Sequence, residues 1–253
     1  MSSEHMTTDL AQHNIEIAEN RRHWNRKPLL RLVYKQFYTE IARRVDRSRP
    51  GLLVELGSGM GNIKEHLPDC ITTDVFPNPW LDRVENAYAL TFADSTVSNL
   101  VLFDVWHRLE YPGEALREFS RVMIPGGRII LFEPAMGLLG RFVFARFHHE
   151  PLGLEDPIQW RAPEGFRPDC PAYYAAQGNA SRIFGSGRYS LELAPWRITE
   201  VAYYSGLAYL GSGGFRGPQL YPQVLMPAFN AVDWLLSHFE GLASRMLVVL
   251  DRQ

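Results

Sequence analysis

A short apolar run that ends in closely spaced glycines dominates this sequence: residues 52–61 are LLVELGSGMG. The run is continuous rather than alternating, and Pro50 and Gly51 precede it, so it predicts a buried parallel strand. Residues 62–67 are predicted to open a helix. Backbone N–H groups at such a strand-to-helix turn can approach a polar ligand closely, because glycines carry no Cβ and the helix dipole favours negative charge. The sequence therefore predicts a ligand-binding loop here.

An acidic residue ends the next predicted strand. Residues 70–74 predict that strand, and Asp74 follows Gly57 by 17 residues. A carboxylate at this place can accept hydrogen bonds from both ribose hydroxyls of an adenosine cofactor, and Val75 and Phe76 would flank the adenine. We expect Asp74 to be an exposed strand-tip residue that contributes little to stability.

Three further motifs follow in order. Residues 86–94 are NAYALTFAD, residues 105–112 are VWHRLEYP after a third buried strand at 99–104, and residues 121–127 are RVMIPGG. Pro112 suits the first turn of a helix that the glycine pair then stops, and residues 128–132 predict another strand. Proline-broken residues 77–81 predict a loop in place of a helix.

Together these motifs resemble the class I methyltransferases that depend on S-adenosylmethionine (SAM). The glycine loop is similar to motif I of that family, residues 86–94 to its DAxxLPFxD segment, and residues 105–112 to its LHHLxxP turn. Residues 121–127 resemble the RVLxPGG of quinone-biosynthesis-type members. A dinucleotide fingerprint would place its third glycine at position 62, where this chain has Asn62. The resemblance covers residues 50–135.

The resemblance implies an α/β fold: a Rossmann-like, seven-stranded, mostly parallel sheet with helices on both faces and an antiparallel last strand. It implies SAM as the cofactor and Glu55 as a residue that orients the amino-acid part of SAM. Asn86 replaces the family's adenine-binding acid, and its carbonyl can still accept the adenine N–H. The predicted cofactor residues are Glu55, Gly57, Ser58, Gly59, Gly61, Asp74, Val75, Asn86, Ala87 and Asp104.

The remaining chain is predicted as two flanking parts. Residues 1–49 form a tail and a basic helix, with helical periodicity at 29–45, and residues 50–253 form the methyltransferase domain with an insertion at about 136–197. Ten of the 17 prolines lie between Pro134 and Pro227, which favours an elaboration over a second core. Strands are predicted at 198–203 and 245–250, and a helix at 225–239.

Candidate catalytic residues are His107, His148 and His149. His107 follows a strand end, where ligands of open α/β sheets bind, so it is a candidate base; a structural histidine that caps the turn is the alternative. Adjacent His148 and His149 cannot face one metal from a helix, and no further ligand stands at a suitable spacing, so no metal site is predicted.

The predicted reaction is methyl transfer to a hydroxyl or carbon of a small or lipid-like acceptor. Neither an Asn-Pro-Pro-Tyr sequence nor a cysteine pair for pyrimidine chemistry is present, which disfavours nucleic acid as a partner. Two alternatives remain open. One is a SAM-binding module with lost catalysis, suggested by Asn86 and Arg108. The other is a nicotinamide-dependent oxidoreductase, which the glycine spacing disfavours.

Charge and composition bear on location. Residues 1–20 lack the apolar core of a signal peptide, and only Cys70 and Cys170 are present, so a cytoplasmic protein is expected. Residues 21–49 hold ten Lys or Arg against Glu40 and Asp46, a local charge of +8. This stretch predicts either a solvated helix face or, together with the apolar residues from Leu220 to Phe239, peripheral contact with an anionic membrane.

Overall fold

The protein is described by a computed structural model, which covers residues 3–147, 150–168 and 174–253. Its strands are β1 (Leu52–Leu56), β2 (Ile71–Asp74), β3 (Arg83–Val84), β4 (Val97–Phe103), β5 (Met123–Pro134), β6 (Trp196–Tyr204) and β7 (Arg245–Arg252). Its helices are α1 (Ser3–Arg26), α2 (Pro28–Ala42), α3 (Pro112–Val122), α4 (Leu138–Phe147), α5 (Asn179–Phe184), α6 (Leu207–Ser212) and α7 (Met226–Leu236).

The seven strands form one sheet in the order β3-β2-β1-β4-β5-β7-β6. Strands β1 to β5 pair in parallel, whereas β7 is antiparallel to both β5 and β6. This is the mostly parallel sheet with an antiparallel last strand that the sequence predicts. Every residue of β4 is buried, as expected for a central strand covered on both faces.

Two hydrophobic clusters cover the two faces of the sheet. One contains α3, α5 and the β4 residues Leu100 and Leu102, and the other contains α2, α6 and the β4 residues Val101 and Phe103. Alternate residues of β4 therefore point to opposite clusters, as strand geometry requires. Helix α2 packs seven residues into the second cluster at helical spacing: Leu29, Leu30, Val33, Tyr34, Phe37, Tyr38 and Ile41.

The structure differs from the sequence predictions at two helices. The helix expected at 62–67 is only a short 3-10 helix, Asn62–Glu65, because Pro68 disfavours helical backbone at the residue before it. The N-terminal segment, expected as a tail, is part of the continuous helix α1. Among the described residues, no helix has both the length and the apolar character needed to cross a bilayer.

The carboxyl ends of the parallel strands share one edge of the sheet with the start of β7. Arg245 pairs with Pro134 at the end of β5 and with Tyr204 at the end of β6. We call this edge the carboxyl edge. Four connecting segments begin at the carboxyl edge, after β1, β4, β5 and β6: residues 57–70, 104–111, 135–195 and 205–244. The predicted division of the chain at residue 50 and the insertion at 136–197 stay predictions.

Candidate active site

The glycine loop after β1 is shaped by close contacts on two of its glycines. Gly57 and Gly61 have φ angles of 66° and 68°. A Cβ on Gly57 would lie 2.3 Å from Val105 Cγ2, and one on Gly61 would lie 2.7 Å from the carbonyl oxygen of Trp80. Both positions therefore require glycine. By contrast, among the residues whose side chains are described, only Ile17 Cδ1 of α1 lies within 4 Å of a Cβ on Gly59, at 3.6 Å.

Ser58 joins the glycine loop to β2. Its backbone N–H donates to the Thr73 carbonyl oxygen at 2.7 Å, and its hydroxyl accepts the Thr73 N–H at 3.0 Å. The same hydroxyl donates to the Glu55 carbonyl oxygen at 3.1 Å. With both donors and acceptors used inside the protein, Ser58 fixes the loop rather than facing a ligand with its side chain.

Asp74 is buried, with 8% of its surface exposed. Its Oδ2 accepts the Gly59 N–H at 3.0 Å, and its Oδ1 accepts the Val75 N–H at 2.7 Å. The expectation of an exposed strand-tip carboxylate was therefore wrong, because this carboxylate holds the middle of the glycine loop.

Glu55 is the most deeply buried acid of the loop, at 1% exposed, and its Oε2 has no hydrogen-bond partner among the described residues. Burial raises the pKa of Glu55 to about 8, the Ser58 hydrogen bond opposes this rise, and the charge of Asp74 adds to it. A buried polar atom without a partner is costly, so this oxygen is suited to a ligand donor.

The predicted adenine-side residues lie beyond β2. Val75 and Ala87 are half-buried. Asn86 is engaged locally: its Oδ1 accepts the Tyr88 N–H at 2.9 Å, and its Nδ2 donates to the Pro168 carbonyl oxygen at 2.5 Å. Asn86 therefore ties its own turn to the segment between β5 and β6, and its carbonyl has one remaining lone pair for a ligand.

Asp104 directly follows β4 and is paired with a buried arginine. It has a φ of 57°, unusual for a residue with a side chain, and its Oδ1 accepts a hydrogen bond from Arg245 Nη1. Arg245 is 3% exposed, its guanidinium lies 4.9 Å from the centre of the Tyr209 ring, and its Nε has no partner among the described residues. Burial opposes the charge of Arg245, but Asp104 outweighs it and raises the arginine pKa above its ordinary value.

Aromatic rings of α2 and α6 cover the β4 end of the carboxyl edge. Tyr34 lies over Phe103 with ring centres 5.4 Å apart, and its ring centre is 6.1 Å from that of Tyr209 and 5.5 Å from that of Phe215. Burial raises the pKa of Tyr34 well above its ordinary value and also raises the pKa of Tyr209. Neither phenol is therefore an anionic base in this state. These rings form an apolar wall beside Asp104 and Arg245.

His107 is enclosed by two carboxylates. Its Nδ1 lies 2.8 Å from Glu133 Oε2, its Nε2 lies 3.6 Å from Glu150 Oε2, and the residue is 2% exposed. Burial lowers the pKa of His107, but the Glu133 charge and hydrogen bonds to Glu133 and Glu150 outweigh it and raise the pKa to about 9. A charged imidazolium with both nitrogens facing carboxylates cannot accept a proton from an acceptor.

Glu133 holds the turn that follows β4. Its carboxylate accepts the N–H groups of Val105 and Trp106, at 2.7 and 2.6 Å, as well as the bonds from His107. The ligand atoms of Asp104, His107 and Glu133 lie within 4.8 Å of one another. The backbone N–H groups and the partner Arg245 engage these oxygens, so we interpret the cluster as an ion-pair network. His148 and His149 lie outside the described residues.

Glu133, Glu150 and Arg245 are functional candidates that the sequence analysis missed. Glu133 is an acid at a strand end, the same signal that marked Asp74, and Arg245 is a charged residue at the start of a strongly apolar run. Both signals were present in the sequence. Glu150 had no such signal, because its role depends on Arg108, whose Nη2 donates to Glu150 Oε1 at 2.7 Å across 42 residues.

The sequence and the fold were compared with those of known proteins. Residues 54–131 match the family model of a methyltransferase domain. Structural similarity extends to a chain of the complex between the Haloferax volcanii Trm112 methyltransferase activator and a methyltransferase, with a TM-score of 0.53, 13% identity and 94% of each chain covered. A Thermotoga maritima SAM-dependent methyltransferase, described as a possible histamine N-methyltransferase, has a TM-score of 0.51 and 15% identity, with 94% of this chain and 99% of that chain covered.

A third similar structure is a geranyl diphosphate methyltransferase in complex with GPP and sinefungin, with a TM-score of 0.50, 13% identity, and 87% of this chain and 78% of that chain covered. A comparison with curated proteins gave no significant match. Residues 54–131 are thus a methyltransferase domain, and the chain is an enzyme of the class I methyltransferase fold. SAM-dependent methyltransferases are among the similar structures, and together with the methyltransferase domain they support S-adenosyl-L-methionine as the cofactor.

Proposed function

We propose that the enzyme transfers the methyl group of SAM to a hydroxyl or carbon of a small or lipid-like acceptor. The observation that carries this proposal is the division of the carboxyl edge into two halves. One half presents the carboxylates of Glu55 and Asp74 beside the glycine loop, and the other is walled by the rings of Tyr34, Tyr209 and Phe215. The first half suits a cationic, hydroxylated cofactor and the second an apolar acceptor.

Each proposed cofactor residue has a role that follows from its geometry. The unpartnered Oε2 of Glu55 would accept a hydrogen bond from the ammonium group, and Asp74 would accept the ribose hydroxyls. At Gly59 the cofactor would approach the loop backbone on the side where Ile17 lies 3.6 Å from the place of a Cβ. Val75, Ala87 and the Asn86 carbonyl would lie along the adenine. The sulfonium methyl group supplies the electrophile, and the protein supplies position and a dry pocket.

The geometry favours acceptors that need little help from a base. His107 is held between Glu133 and Glu150, so its proposed role is to position the turn after β4 rather than to move a proton. Asp104 is paired with Arg245. An acidic phenol, an enol or an activated carbon loses its proton more readily than an alkyl alcohol, and such an acceptor fits the aromatic wall. His148 and His149 stay predicted candidates for a base.

A SAM-binding module with weak catalysis is the second candidate. It is favoured by the departures from the family pattern at Asn86 and Arg108, whose side chains bond to Pro168 and Glu150. Such a module would bind SAM and act through a partner. The two candidates agree on the cofactor and differ on turnover.

Calorimetry followed by a turnover screen tests these candidates. Titration with SAM, S-adenosylhomocysteine and NAD⁺ should show binding of the first two and no binding of the third. Methyl-labelled SAM should then be incubated with phenols, quinols and isoprenoid lipids, with Asp74→Ala as the binding-deficient control. Labelled product that requires Asp74 supports the enzyme. Tight SAM binding without labelled product across the whole panel favours the module, and NAD⁺ binding without SAM binding overturns both.

A further inference from the structure

A large apolar surface is exposed between residues 218 and 239. Its members are Leu220, Val224, Leu225, Val232, Trp234, Leu235 and Phe239, together with Leu138 and Phe142 of the neighbouring helix α4. Val224 is 79% exposed, Trp234 68% and Phe142 63%. Single exposed apolar residues are common, but a run of this size on one segment marks an interaction site. We call this set the apolar surface.

The segment that forms most of this surface presents no exposed charge. Asp233 is the only charged residue from 217 to 237. Its carboxylate is turned inward, where it accepts the N–H groups of Leu207 and Ala208 at 2.6 and 2.8 Å and the hydroxyl of Ser205. A helix face that is packed only against water normally carries charged residues, so the composition of α7 favours a partner on its outer face.

The charges beside the apolar surface are mainly basic. Helix α4 carries Arg141 and Arg146 as its only charged residues, and both are exposed. The α4 end that holds Leu138 lies against residues 240–243, since the Gly140 N–H donates to the Ala243 carbonyl oxygen at 3.3 Å. Glu240 is the one exposed acid between 217 and 243. Aromatic and aliphatic side chains flanked by arginines suit the interface of an anionic bilayer.

The apolar surface lies on the same side of the molecule as the candidate active site. Helices α4, α6 and α7 belong to segments that leave β5 and β6 or enter β7 at the carboxyl edge. Tyr209 of α6 and Phe215 contribute to the aromatic wall, and the buried ring of Tyr221 stacks on Phe229 of α7 with centres 3.7 Å apart. Residues 207–239 thus contribute both to the apolar surface on the outside and to the aromatic wall of the candidate active site.

We infer that the enzyme docks on an anionic lipid bilayer through the apolar surface, with α7 lying in the plane of the membrane and its apolar side chains below the headgroups. The use of this docking, to take up a lipid-soluble acceptor at the carboxyl edge, rests on the proposed function. The docking itself does not, because it can be measured without turnover or cofactor.

The sequence suggested membrane contact through the basic stretch at residues 21–49 together with apolar residues at 220–239, and this assignment keeps only the apolar residues. Several of those charges are used within the protein: Lys27 Nζ donates to the carbonyl oxygens of Gly214 and Gly217, and Arg44 pairs with Glu40 and Glu200. Arg47 pairs with Asp69. Intramolecular pairing lowers the attraction that these side chains can offer to a membrane.

Co-sedimentation with vesicles tests the inference on the full chain. Vesicles of phosphatidylcholine should pellet little protein, and vesicles that also contain phosphatidylglycerol should pellet most of it at low salt. The test variant carries Val224→Glu and Trp234→Glu, which place two acids on the apolar surface at exposed positions. The matched control is Leu191→Glu, because Leu191 is 87% exposed and lies near the Trp196 end of β6, at the opposite edge of the sheet.

We expect the double variant to lose at least tenfold in the bound-to-free ratio, because a buried Trp alone removes about 150–250 Å² from water. The Leu191→Glu control should bind like the parent. Brominated lipids give a second measurement that does not depend on the charge variant: they should quench part of the tryptophan fluorescence of the parent, and Trp234→Phe should remove that part. Circular dichroism checks that the variants are folded.

Three results would overturn the inference. One is a parent protein that stays in the supernatant with phosphatidylglycerol vesicles at low salt. Another is equal vesicle binding by the parent and the double variant. The third is a parent dimer in light scattering that becomes monomeric in the double variant, which would assign the apolar surface to a second copy of the chain. Loss of methyl transfer with intact vesicle binding would count against the proposed function alone.

Discussion

Replacement of Asp74 by alanine should weaken both the fold and the cofactor site. The carboxylate accepts two backbone N–H groups, from Gly59 and Val75, while it is 8% exposed. Hydrogen bonds to a charged group contribute about 1.5–3 kcal/mol each, and water that enters the vacated space restores part of this. We therefore expect Asp74→Ala to lower the free energy of unfolding by about 2–4 kcal/mol, with the upper part of that range if the two N–H groups stay dry.

The same substitution should lower SAM affinity by about tenfold to a thousandfold, because every 1.4 kcal/mol of lost binding is a factor of about ten. Calorimetry gives the dissociation constant, and urea unfolding without ligand gives the stability. Asp74→Asn keeps one oxygen as an acceptor and should fall between the parent and alanine in both measurements. Asp69→Ala is the matched control, because Asp69 precedes β2 at its other end and its carboxylate forms an exposed pair with Arg47.

An exposed pair of this kind contributes about 0–1 kcal/mol, so the control should change neither quantity much. A folded Asp74→Ala protein whose SAM dissociation constant is within about twofold of the parent, roughly 0.4 kcal/mol, would remove Asp74 from the cofactor site. If Asp74→Ala lowers SAM affinity but leaves the free energy of unfolding unchanged, the hydrogen bonds between Asp74 and the glycine loop do not stabilise the fold as argued.

Three other outcomes are expected. SAM affinity should rise as the pH rises towards and through about 8, because unliganded Glu55 loses its proton there. In calorimetry at several pH values, Glu55→Gln should bind SAM without this dependence on pH. A parent protein whose affinity does not change with pH would contradict the role of Glu55. The stability that charged His107 contributes should be fully present below its ordinary pKa of 6.5 and lost as the pH rises through about 9. The difference in unfolding free energy between the parent and His107→Gln, measured in urea, should therefore shrink over that range of pH. A constant difference would argue against the raised pKa of His107. Gly57→Ala should unfold at a lower urea concentration than Gly187→Ala. Both glycines have a φ of 66°, but only a Cβ at Gly57 would meet Val105, at 2.3 Å, and overpacking costs about 1–3 kcal/mol. Equal unfolding midpoints for the two variants would refute the contact with Val105.

Local patterns were sufficient to predict six of the seven strands, whereas β3 was not predicted. A continuous apolar run before glycines predicted β1, and the loop at residues 77–81 follows from its prolines. These predictions depend on neighbours within a few residues, so the sequence carries them directly. The helix predicted at 62–67 failed because one residue, Pro68, outweighed the pattern before it.

The candidate site was harder to predict because its contacts join distant segments. His107 was a reasonable candidate base at a strand end, yet Glu133 and Glu150, 26 and 43 residues further on, enclose its two nitrogens. Asp74 was placed at the correct strand end, but its burial depends on Gly59 of another element. Residue type and spacing identified the position of each group, whereas its protonation and its partners required the folded arrangement.

Helix α1 has a consequence for how fast the cofactor can bind. Ile17 stands 3.6 Å from the place of a Cβ on Gly59, and Arg21 lies over the ring of Trp80 at 4.4 Å. This part of the helix lies against the loop backbone at Gly59, so we expect it to move when the cofactor binds there. In rapid mixing, the observed rate of association should therefore reach a plateau at high cofactor concentration, set by the motion of α1. Shortening the side chain with Ile17→Ala should raise that plateau without adding any contact to the cofactor.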